Sequence, residues 1–360
     1  MRSSGIGGQA VIEGVMMRNH GKYAVAVRTP DGEISVKTER CKGVDDRPVV
    51  LRLPIVRGVV AFVDSLVLGM KTLTYSSSLF EEIPLEQEDK KKESIENFFI
   101  ILLAVLLAVG VFMVLPFWLS QLCAKKIAST TVLTVVEGVI RIGLFVLYVL
   151  AISCMKDIKR TFMYHGAEHK VINCIERGKT LTVANARKSS RFHRRCGTSF
   201  LFVVMLISVI LFVFVNVPNI WMRMVYRILL IPVVAGISYE FILWAGNSDN
   251  IIVKVLSIPG LALQGLTTRE PDDDMLEVAI ASVNAVFDWK NYQERLRAQM
   301  RAAKARKKRQ EQGGDPSKKK LTREEEREAL RKREEEYRRR KEAREQGEES
   351  SEEDIEEQES

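Results

Sequence analysis

The chain has 360 residues, of which 46% are hydrophobic and 28% charged, with a formal net charge of +8. A mean hydropathy close to zero hides strong segregation of apolar from charged segments, which excludes an ordinary soluble globular domain. Five cysteines (Cys41, Cys123, Cys154, Cys174 and Cys196) are odd in number and sit mostly near segments expected in a reducing compartment, which excludes a disulfide framework.

Residues 1–53 read as a small cytoplasmic β-rich unit. The stretches "YAVAVRT" and "EISVKTE" alternate apolar and polar around "PDG", a hairpin signal. The start "MRSSGIGGQAVIEGVMMRNHG" lacks a charged region followed by a compact apolar core, so no cleavable signal peptide is expected. Residues 54–80 are apolar but carry Arg57, Asp64 and Lys71 at seven-residue steps. Seven is close to two helical turns, so the charges make one polar stripe. An amphipathic helix that lies in the membrane interface or packs on the bundle is expected, with spanning or re-entrance as the alternative. Residues 81–97, containing "EQEDKKKES", read as a solvated linker.

Residues 98–245 are expected to form a four-span membrane core. Residues 98–119 carry no charge over 22 positions, enough to cross a hydrocarbon layer about 30 Å thick. A second run, from about Thr130 to Cys154, is broken only by Glu137 and Arg141, four apart and placed to pair across one turn. Further runs extend over 199–217 and 221–244. The connection from Lys156 to Gly197 carries eleven basic residues, against Lys125 and Lys126 in the first connection and none in "NVPN". That asymmetry puts loop 156–197 and both termini in the cytoplasm of a multi-pass protein.

Residues 246–290 read as a membrane-surface segment, interrupted by Pro259 and Gly260, followed by a short amphipathic helix. Residues 291–360 form a charged cytoplasmic tail. "LTREEEREALRKREEEYRRRKEAREQ" has a capping-box start at Thr322 and Glu325 and pairs such as Glu328 with Lys332 in the helix-favouring order. It is expected to be a solvated helix or an electrostatic arm toward ribosomal RNA, anionic lipid or a partner, ending in an acidic disordered tail. The fold class expected is therefore mainly α: a polytopic membrane protein with about four transmembrane helices, an N-terminal hairpin unit and a charged C-terminal arm.

The stretch "RTFMYHGAEHKVINC" holds two of the four histidines. His165, Glu168 and His169 make an HxxEH pattern, which on a helix puts both imidazoles on one face with the glutamate close enough to orient a water. It is the order found in inverzincins, where the histidines bind the metal and the glutamate acts as base. His193 and Cys196 lie at the far end of the same loop, completing a zinc-type ligand set. Two alternatives stay open: binding of lipid phosphate by the basic stretch "RKSSRFHRRC", and a structural role. Gly166 within the motif costs about 1 kcal/mol of helix propensity relative to Ala. Glu240, a carboxylate inside an apolar run, is a candidate distal ligand unless an arginine from another helix pairs with it. Glu13, flanked by Gly7, Gly8 and Gly14, is a second candidate member, in a setting suited to close backbone approach.

The segments "GGQAVIEGVMMR", "VRTPDGEI", "YHGAEHKVINCIE", "RCGTSFLF" and "LTTREPDDD" resemble the YqhQ family of bacterial membrane proteins, over about residues 5–290. The resemblance implies a bacterial plasma-membrane protein of a family described as predicted metal-dependent enzymes, a description resting on His165, Glu168, His169 and Cys196. The tail after about residue 300 looks like an addition to that core. The reading that follows is a membrane enzyme with a divalent cation, zinc by preference, and Glu168 as general base. Hydrolysis is the default reaction, with a membrane lipid or membrane-protein segment as substrate. The competing reading is a non-enzymatic membrane-biogenesis or scaffold protein contacting lipid headgroups and ribosomes.

Overall fold

The computed structural model describes residues 4–41, 47–80, 90–127, 129–215, 217, 219–247 and 250–311, and the single positions 328, 331 and 335. Residues up to Glu294 form one compact unit, and those from Arg295 a second.

Four strands, β1 (Ile6–Val11), β2 (Gly14–Asn19), β3 (Lys22–Arg28) and β4 (Ile34–Arg40), make an antiparallel meander in sequence order. The expected hairpin is β3–β4, closed by Gly32 N–H donating to Thr29 O, with Gly32 at a φ of 87° that its lack of a side chain permits. The glycine-rich segment before it supplies β1 and β2 as a second hairpin, so the unit is a four-stranded sheet. Side chains alternate across it. Ile6, Val15, Met17 and Ala26 pack on one face with helices α5 (Lys156–Glu176) and α11 (Asp273–Val286). Val11, Met16, Tyr23, Val25 and Val27 pack on the other, against Leu68 and Tyr75 of α1 (Val56–Ser78).

The polar stripe of α1 turns toward this sheet and toward the bundle. Arg57 donates twice to Glu240, Asp64 accepts from Arg47, and Lys71 donates to Glu39 on β4. Its opposite side leaves Val63, Leu66, Val67 and Met70 between 47% and 64% exposed. The amphipathic pattern thus sorts one helix between a polar sheet edge and an uncovered apolar face.

Helix α2 (Lys90–Val109) runs through a π-helical turn, Gly110–Val114, into α3 (Leu115–Leu122). The second half of the expected linker is therefore helical, and residues 81–89 lie outside the described residues. Helix α4 (Thr130–Ile152) starts at Ser129, whose hydroxyl accepts from Val132 N. Phe99–Leu122 and Thr130–Ile152 are both long and apolar enough to cross a membrane. The expected third run is α7 (Gly197–Val213), a shorter apolar helix of 17 residues. The fourth is divided into α8 (Ile220–Leu229) and α9 (Ile231–Asn247), bent by 41° at the break. Two helices, or three with the bent pair taken as one span, thus meet the length and apolarity required. Helix α1, 23 residues long, is not among them.

Glu137 on α4 does pair with Arg141, at 2.6 Å, and it also takes Arg227 from α8 at 2.5 Å. Arg141 donates further to Ser208 on α7 and to Phe112 O, the carbonyl presented by the π-helical turn. A carboxylate this deep needs such partners to offset its desolvation.

The expected loop 156–197 is mostly α5, followed by the short α6 (Val183–Arg187). The expected surface segment contains α10 (Ile251–Thr267), which carries Pro259 in its interior, and Gly260 lets Ser199 of α7 approach to about a side chain's width. Helix α12 (Trp289–Glu311) begins the charged tail. Positions 328, 331 and 335 are helical, whereas the partners proposed for Glu328 and Glu335 and the acidic end lie outside the described residues.

Candidate metal centre

Helix α5 positions the site. Three sides enclose its C-terminal half: β1 and β2 of the sheet, the chain returning through 188–196, and the segment 268–272 that links α10 to α11. Gly166 is the hinge of that packing. A Cβ there would lie 2.0 Å from Arg269 O, while Arg269 N donates to Phe162 O at 2.8 Å. The glycine that weakens the helix in isolation is what lets the α10–α11 link cross it.

His165 and His169 stand one turn apart with ring centroids 4.4 Å from each other. Cys196 is the N-cap of α7, where its Sγ accepts from Thr198 N, and it lies 3.2 Å from His165 Nε2. One ligand atom from each of His165, His169 and Cys196 falls within 4.8 Å of the other two.

The tautomers follow from the partners. His165 Nδ1 meets Thr267 O at 2.9 Å and His169 Nδ1 meets Arg191 O at 2.6 Å. A backbone carbonyl only accepts, so each Nδ1 carries the proton and each Nε2 keeps a lone pair. Metal-ligating histidines are oriented by this kind of second contact. Burial lowers the pKa of His169 and keeps its ring neutral, as a ligand must be. Two imidazoles and a thiol make a zinc-type donor set with room for a fourth position. The residues present fit the ion.

Glu168 does not converge with these three. Its side chain lies against β1, where a Cβ on Gly8 would come within 2.8 Å of Glu168 Cδ. Burial there raises its carboxyl pKa to about 7, with His165 acting in the opposite direction.

His193 is also outside the triad. Its ring lies 5.7 Å from that of His169, and its Nε2 is 3.6 Å from Glu176 Oε2. Gln264 holds it by accepting from His193 N and donating to His193 O. Glu176 collects Arg195 and the backbone and side chain of Ser4 as well. Burial alone would raise its pKa, but His193, Arg195 and the Ser4 N–H outweigh it and hold the carboxylate at about 2.

Glu13 and Glu240 are engaged elsewhere. Glu13, at a φ of 50° in the β1–β2 turn, accepts two bonds from Arg160 and one from Tyr164, clamping the hairpin to α5. Glu240 is held by Arg57, an arginine from another helix. The residues that sequence reasoning passed over are Thr267 and Arg191, which act through backbone carbonyls and so leave no trace in residue type. Gln264 is another, inside an apolar helix. Its buried amide was the one available signal, since such a group requires partners.

These features, a four-stranded antiparallel sheet, two or three helices long and apolar enough to cross a membrane, and a histidine–cysteine cluster where α5 meets the start of α7, are those of a membrane-associated protein with a candidate metal centre. The chain belongs to the YqhQ family: the profile described as "Protein of unknown function (DUF1385)" matches residues 53–289. It is 36% identical over 291 residues to "Uncharacterized protein YqhQ" of Bacillus subtilis (strain 168), covering 78% of this chain and 92% of that one. No solved structure matches the chain.

Proposed function

We propose that this protein is an integral membrane enzyme that binds one divalent cation, zinc by preference, through His165, His169 and Cys196, and catalyses hydrolysis at the cytoplasmic face. The observation that carries the reading is the pair of Nδ1-to-carbonyl contacts, which turns both Nε2 lone pairs toward the Cys196 thiol. Such a cation supplies Lewis acidity toward a carbonyl or phosphoryl oxygen. The chain's own part is to fix the imidazoles, to exclude bulk water by burial, and to take a proton at Glu168. A carboxyl with a pKa near 7 suits that exchange at neutral pH. The two crossing helices, α7 and the α8–α9 pair together make the four crossings of this reading, with both termini and the centre in the cytoplasm of a bacterial cell.

The test is complementation of a deletion strain. Glu168→Gln is expected to keep its metal yet fail to complement, and His165→Ala to lose both. A His165→Ala, His169→Ala double variant that complements fully would remove the enzyme reading.

A further inference from the structure

The chain from 188 to 196, which delivers Cys196 to the histidines of α5, forms neither helix nor strand. It has no regular backbone ladder of its own, so its polar groups must be paired from outside. Side chains of α5 pair the first part. Lys170 Nζ donates to Arg187 O and Ser189 O, and Asn173 Nδ2 donates to Ser190 O and Phe192 O. Further along, the partner comes from another helix, as Gln264 of α10.

Gln264 is fully buried. Its Oε1 accepts from His193 N at 2.8 Å, while its Nε2 donates to His193 O at 2.6 Å and to the Ser199 hydroxyl at 2.7 Å. A side-chain amide offers one carbonyl and two N–H donors, and this set engages all of them. Toward residue 193 the amide acts as a neighbouring strand would, and toward Ser199 it reaches the first turn of α7. His193 and Ser199 stand three positions before and three after Cys196. One side chain thus clamps the chain on both sides of the sulfur.

The two histidines are oriented from the same end of α10. His165 Nδ1 meets Thr267 O. Arg191, whose carbonyl meets His169, is itself tied there, because its Nη1 donates to Thr268 O at 2.9 Å. Thr268 in turn secures Gln264, whose carbonyl accepts from both its N–H and its hydroxyl. Thr267 and Thr268 act through carbonyls that no substitution removes. Gln264 acts through a side chain, which one can.

Taking His165, His169 and Cys196 as the holders of a divalent cation, we infer that Gln264 is the positioning residue that keeps the Cys196 sulfur in the ligand set. It acts through His193 and Ser199. Replaced by an apolar group, it leaves the N–H and carbonyl of residue 193 unpaired, the segment shifts to satisfy them, and the imidazoles remain without the thiol.

The test uses the detergent-solubilised full chain, freed of metal and titrated with cobalt(II). A cobalt-bound thiolate adds a sulfur-to-metal charge-transfer absorption in the near ultraviolet that imidazole ligands do not give. Wild type is expected to show that band, and Cys196→Ser to lack it. Gln264→Met keeps the length of the side chain and removes its hydrogen bonds. It is expected to lose the band and to bind cobalt at least tenfold more weakly, the size of effect usual for partners of metal ligands. His193→Ala, whose backbone still meets Gln264, is expected to keep the band. A glutamine with only a structural role predicts a lower melting temperature with the band intact, and that result in Gln264→Met overturns the inference. If the methionine variant does not fold, Gln264→Glu takes its place: it can still accept from His193 N but has at most one hydrogen to donate. Its cobalt affinity is expected to fall severalfold, and an unchanged affinity overturns the inference. A wild type without the band removes the metal reading itself, whereas a band that persists in a folded Gln264→Met protein removes only the role of Gln264.

Discussion

His193 and Cys196 stand three residues apart, both are ligand types, and sequence alone offered them equally. Geometry separates them. Cys196 caps α7 and meets His165, whereas His193 turns to a carboxylate, Glu176, that residue type and spacing did not single out. Glu176 is also where pH should act on the fold. Its pKa is depressed from 4.5 to about 2, so its contribution to stability is fully present above pH 4.5 and is lost as pH falls toward 2. The melting temperature of wild type should exceed that of Glu176→Gln by a constant margin between pH 5 and 7, and the margin should shrink as pH is lowered below about 4.5. A margin that widens on acidification contradicts the assignment. At Gly8 and Glu168 the same lesson appears. The glycines around Glu13 indicated a close approach, but the group that approaches is Glu168, from a helix some 160 positions away.

Among the elements, what could be read locally was read well. The β3–β4 hairpin announces itself by alternation and "PDG", and the α1 stripe by its seven-residue step. The β1–β2 hairpin was missed because "GGQAVIEGVMMR" is rich in glycine and methionine and its turn uses Glu13 and not a customary turn pair. The stripe's partners were illegible because Glu39 and Glu240 come from other parts of the chain. Helix α5 carries the sharpest prediction at this scale. Replacing glycine by alanine inside a helix normally gains about 1 kcal/mol. Gly166→Ala should instead cost about 2 kcal/mol or more, because the new methyl meets the Arg269 carbonyl at a distance no relaxation of a side chain can relieve. Thermal unfolding in detergent checks it: the melting temperature falls by several degrees, and a rise would show that the α10–α11 link does not cross the helix there.

At the scale of the whole molecule, hydropathy located the apolar runs but not their division. α7 is short, and the last run breaks at Leu230, just before Pro232, which has no N–H to carry the helical ladder across. The four crossings with both termini inside that we propose predict that a membrane-impermeant maleimide added to intact cells labels Cys123, between α3 and α4, and spares Cys154, at the other end of α4. Labelling of Cys154 with protection of Cys123 would invert the topology. The centre sits where α5, the start of α7 and the end of α10 meet beside the sheet, so its ligands are assembled only when the whole unit folds. The account therefore stands most directly on the metal content of the tag-free, full-length protein, measured beside its His165→Ala and His193→Ala variants. About one zinc per chain is expected in the wild type and in His193→Ala, and a content near background in His165→Ala. A wild type without stoichiometric metal, or a His165→Ala protein that retains it, contradicts the account.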